Sequence, residues 1–102
     1  MYIECPDLTN DKKVSINTAI NGSVFTFVFK WNEFCDCCFL DIYDNNNDRL
    51  YCGNALTTNS SIFTKKKVLP NLVFLHKDGS SFEPTPETMK DFILHYEDST
   101  EQ

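Results

Sequence analysis

The 102-residue chain carries nine basic and fifteen acidic side chains, a net charge of −6 and a pI of about 4.7. Its apolar content of 41% and aromatic content of 14% supply a core and exclude a disordered or collagen-like chain. The acidic balance disfavours a coat on nucleic acid or on an anionic membrane surface, and no apolar run approaches the ~18 residues of a membrane span. A length near the ~100–150 residues of a common domain bounds it to one unit. That unit divides into an N-terminal edge segment over 1–13, a core over 14–97 and a polar tail over 98–102.

In chain order, Met1 to Cys5 reads as a short edge strand stopped by Pro6, which has no N–H to donate. Asp7 to Lys13 is turn-like. Val14 to Ile20 alternates apolar with polar, the period of a half-buried strand. Asn21-Gly22 then signals a tight hairpin, since both residues tolerate positive φ. From Ser23 the chain enters a second strand, in which Phe25, Phe27, Phe29 and Trp31 share one face and Val24, Thr26, Val28 and Lys30 the other. The aromatic face is the expected centre of the core.

Asn32 to Asp36 is a connection and Cys37 to Tyr43 the next strand. Asp44 to Asp48 is a turn by composition, and Arg49 to Cys52 returns as a strand ending at Gly53. After the polar loop Asn54 to Ser60 comes a short apolar element, Ser61 to Thr64, and then the basic run Lys65 to Lys67. Asn71 to Lys77 is an apolar inner strand closed by Asp78-Gly79. Two prolines mark the long loop before Asp91, with room for one helical turn at Pro86 to Lys90. Asp91 to Tyr96 is the last strand. The expected fold is all-β, a small β-sandwich or partly open barrel of about seven to eight short antiparallel strands.

The five cysteines are odd in number, and the opening MYIECPDLTN lacks a basic stretch before an apolar one. Reduced thiols and no secretory signal are therefore expected. Cys35, Cys37 and Cys38, with Cys52, are a candidate thiolate set for zinc. The missing second Cys pair and the opposite faces of Cys37 and Cys38 favour packing instead. His76 and His95 lie in apolar strands, with Asp91 and Glu97 as imaginable partners in acid–base chemistry. No nucleophile elbow or HExxH accompanies them. Asp41, Asp44 and Asp48 surround a turn without calcium-loop spacing. Asp44 and Asp48 are turn formers. Asp41, flanked by Leu40 and Ile42, is expected to bond a loop backbone or pair with Arg49. No catalytic residue, metal or cofactor is expected.

Three pieces, Phe29-Lys-Trp-Asn32, Phe39-Leu-Asp-Ile-Tyr-Asp44 and Arg49-Leu-Tyr-Cys-Gly53, occur in an order that resembles the contractile-phage baseplate plug proteins first recognised in a cyanophage. The apolar strand NLVFLHKDG and the terminal DFILHYED extend the resemblance over Ile16 to Asp98. Cys38 replaces a frequent bulky aromatic, and Pro70-Asn71 a Gly-rich approach. The motif residues carried over are Trp31, Asn32, Phe39, Leu40, Asp41, Ile42, Asp44 and Gly53.

The resemblance implies a non-enzymatic subunit of a contractile tail baseplate, a plug where tail tube meets hub, holding the assembly closed and in register. Its implied partners are hub and tube proteins and copies of itself in a symmetric ring or trimer, without direct nucleic-acid or membrane binding. The implied location is the virion tail baseplate, assembled in the bacterial host cytoplasm, with contacts in loops such as Asn54 to Leu69. The alternative is a carbohydrate-recognising β-sandwich with Trp31, Phe34 and Tyr43 as a sugar platform.

Overall fold

The computed structural model describes residues 2–20, 22–62, 71–79 and 83–96, with backbone alone at 52–54. The basic run Lys65 to Lys67, the far half of the loop Asn54 to Leu69, and the polar tail lie outside the described residues. The strands are β1 (Tyr2–Glu4), β2 (Lys13–Ile20), β3 (Ser23–Asn32), β4 (Cys37–Tyr43), β5 (Arg49–Ala55), β6 (Ser61–Ile62), β7 (Leu72–His76) and β8 (Phe92–Tyr96). They form two four-stranded antiparallel sheets, ordered β1-β8-β7-β6 and β2-β3-β4-β5. Neither sheet closes on itself, so the all-β reading resolves to a sandwich-like pair of layers.

The second sheet is built from local signals. Ile20 pairs with Ser23 across the two-residue turn, and Gly22 sits at φ +85°, a conformation that costs a side-chain-bearing residue energy. The β3 alternation predicts the placement of Phe25, Phe27 and Phe29, which are buried, and of Val24, 48% exposed. Trp31, however, stays at the core rim rather than its centre, and Val28 on the other row is buried as well. Across the ladder, Cys38, Leu40 and Ile42 of β4 are also fully buried.

At β5 the structure corrects the sequence reading, because the strand passes through Gly53 and ends at Ala55. Ile42 pairs with Tyr51 and Leu40 with Asn54, so Cys52 and Gly53 together stand against the single Asp41. That is a β-bulge, where an interior glycine is tolerated.

The first sheet joins distant segments. β1 pairs with β8, and β7 is an inner strand between β6 and β8. The hairpin exit is a turn in which Gly79 N–H donates to the His76 carbonyl at 3.0 Å, with Gly79 at φ +80°. Before β8, Thr85 and Thr88 bond to one another and to each other's backbone, and a single 3-10 turn follows at Met89–Asp91. Between the strands of opposite sheets, Leu8 is fully buried and its N–H donates to the Pro86 carbonyl at 3.2 Å.

One continuous core joins the inner faces of both sheets. Ile3, Leu72, Phe74, Phe92 and Leu94 from one meet Phe27, Phe29, Leu40 and Ile42 from the other. Phe74 and Phe92 stack with centroids 4.8 Å apart. The partly buried Val14, Ile16, Trp31 and Tyr51 pack against its rim.

Candidate functional site

The motif residues gather at β3, β4, the turns that leave each of them, and the β5 bulge that holds Gly53. Asn32 ends β3, and its Oδ1 accepts from the N–H of Phe34 at 2.9 Å and of Cys35 at 3.4 Å. This side-chain-to-backbone bond folds the chain sharply back. Asp36 completes the turn at φ 49° and brings Cys35 and Cys37 to a Cα separation of 5.4 Å, within bridging range. The two are joined as a disulfide. This corrects the expectation of reduced thiols for that pair. Cys5 and Cys38 are free, and both are buried in the core. Burial pushes the Cys38 thiol up to about 12 and the Cys5 thiol higher still.

The turn thus held presents Phe34 fully to solvent. Beside it, Trp31, Phe34 and Phe39 line an open groove with Lys12 and Lys30. A second groove shares Trp31 and Lys12 and continues to Pro84 and Pro86. Trp31 turns toward the core rim, whereas Tyr43 lies on the opposite face of the sheet, paired with Thr26 and capped by the Arg49 guanidinium 5.8 Å from its ring centre. Trp31, Phe34 and Tyr43 therefore do not make one platform.

Along β4, Leu40 and Ile42 enter the core, while Phe39 and Asp41 face outward. Asp41 is only 6% exposed, and its Oδ2 meets Lys30 Nζ at 2.7 Å, diagonally across the ladder. That hydrogen bond raises the Lys30 ammonium above its ordinary value of 10.5, with partial burial acting in the other direction. At the next turn, Asp44 Oδ1 accepts from the N–H groups of Asn46 and Asp48, each at 2.9 Å. Asn47 there adopts φ 64°. Gly53 lies in the bulge facing Asp41. Sequence reasoning did not single out Lys30 as a partner for Asp41, although its place on the outward row of β3 was the available signal.

The histidines do not converge. His76 projects from the inner-face row of β7, edge-on to Phe92 at 4.8 Å, and contacts Asp78 through Nδ1 at 2.6 Å. His95 pairs with Val73 and Tyr2 on the outward row of the same sheet. Among the described residues, no three His, Cys, Asp or Glu side chains cluster as a metal site would require. The free Cys38 lies on the opposite side of β4 from Cys37.

Residues 2–100 match the family described as the cyanophage baseplate Pam3 plug gp18. No curated protein matches the chain.

Proposed function

We propose, since this chain belongs to the cyanophage baseplate plug family, that it is a plug-type subunit at the junction of tail tube and hub. There it holds the assembly closed and in register until contraction. The observation that carries this reading is the family match over residues 2–100, which takes in both sheets and every motif residue. The physical character is compatible with a mechanical role. A core shared by two sheets resists shear, and Asn32, the Cys35–Cys37 disulfide and Asp44 fix the two turns that flank β4. Leu40 and Ile42 anchor that strand in the core and Trp31 packs at the core rim, while Phe39, Asp41 and Gly53 shape its outward surroundings.

The partners in this reading are hub and tube proteins, together with copies of the chain in a ring or trimer on the tail axis. The role is non-enzymatic, with the virion tail baseplate as its place and the host cytoplasm as the site of assembly. A net charge of −6 disfavours adhesion to DNA passing along the tube.

Cryo-electron microscopy of tail particles from producing cells tests this directly. Density for the two-sheet domain on the axis, between tube and hub, is the expected result. Density confined to peripheral fibres would overturn it and bring forward the carbohydrate-recognising alternative, for which the groove beside Trp31 and Phe34 is the nearest feature.

A further inference from the structure

We propose that the open edge of β2 is a strand-addition site, filled in the assembled tail by an extended segment of a neighbouring subunit. The proposal rests on the baseplate reading. Each of the two sheets has two edges, and three of these four are blunted. β1 has three described residues, β6 has two, and β5 is bulged against β4. β2 differs, running eight residues in unbroken register with β3 and lying beside no other described strand. Long regular edges invite pairing, and proteins ordinarily protect them with proline, bulges or charged side chains, lysine above all. Within β2 the one such device is Lys13, at its start.

The hydrogen-bond phase defines what the edge offers. Trp31 N–H donates to the Lys12 carbonyl at 2.7 Å, so Lys12, Val14, Ile16 and Thr18 turn their backbone groups toward β3. Lys13, Ser15, Asn17 and Ala19 therefore aim N–H and C=O outward, and all four are exposed. The core is also incompletely covered along this line. Val14 and Ile16 pack on it yet stay only partly buried, whereas their partners Phe29 and Phe27 are fully buried. An added strand would satisfy the backbone row and complete that cover.

The same geometry specifies the occupant. It is an extended segment with apolar side chains on its core-facing positions and a carboxylate near its end at Lys13, because Lys12 already shares a groove with Glu33, Asp36 and Glu87. Neither lysine forms an ion pair with a described carboxylate, and β2 itself carries no acidic residue. Pairing of β2 with β2 of a second copy would close a two-fold dimer, which does not build a ring about the tail axis. The segment therefore comes from a different surface.

Ser15→Pro tests the site, because it deletes an outward N–H and no bond to β3. The variant should retain the wild-type Trp31 emission and unfolding midpoint to within a few degrees, yet enter tail particles at least tenfold less. In the wild-type chain, residue-resolved hydrogen exchange at Ser15 and Asn17 should be fast in isolation and at least a hundredfold slower in the particle. This second measurement decides the matter even if the variant fails to fold. Fast exchange at these amides within particles that contain the chain would overturn the proposal and leave the baseplate reading standing. So would a concentration-dependent dimer of the isolated chain with the same amides already protected. Absence of the wild-type chain from tail particles would overturn both.

Discussion

Asp41 lies in the middle of a strand, at a position with little access to water, and Lys30 reaches it from the neighbouring strand at 2.7 Å. The pairing has a pH signature. The Lys30 ammonium titrates above its ordinary 10.5 in the folded chain, first because it donates to Asp41. A group whose folded value is raised stabilises fully below its unfolded value and loses that contribution as pH climbs through the folded one. The unfolding midpoint of Lys30→Met should therefore lie below wild type at neutral pH, and the gap should narrow above about pH 10.5. An unchanged gap in an alkaline series would remove this account. From the sequence, Asp41 was conspicuous but its partner was not, because Lys30 and Asp41 meet only through the β3–β4 register.

Among the elements, the turn at Asp44 was fully legible. One carboxylate satisfies two backbone N–H groups, as expected for an Asp-led run of asparagines. Asp44→Ala should lower stability by about 1–2 kcal/mol, the net worth of one or two side-chain-to-backbone hydrogen bonds. A urea series would register this as a shifted midpoint with an unchanged slope. The hairpin at Gly22 and the inward face of β3 were equally readable, since both depend on neighbours in sequence. The extension of β5 past Gly53 was not, because a bulge is defined by the opposite strand. Nor was the disulfide, which depends on Asn32 and Asp36 folding the turn until Cys35 and Cys37 meet.

At the level of the whole molecule, the two sheets share one core and should unfold as a unit. Leu94 belongs to the sheet without Trp31 and is fully buried. Leu94→Ala should cost about 2–5 kcal/mol, as core truncations of this size do. Trp31 fluorescence, reporting from the other sheet, should shift its transition as far as far-ultraviolet circular dichroism does. A Trp31 transition left at the wild-type midpoint would mean that the sheets melt separately.

By itself the sequence determined the all-β class, the turn positions, the buried face of β3 and the membership of the plug family. These depend on side-chain alternation, on backbone freedom at Asn, Asp and Gly, and on the order of short motifs, all readable along the chain. Only the tertiary structure decided that the first strand pairs with the last, that the layers stay open as a sandwich, and that β2 has β3 as its one neighbour among the described strands. Apolar alternation marks a strand as half-buried without naming its neighbour. That choice is made when the two inner faces pack together, and it decides which backbone groups remain unpaired.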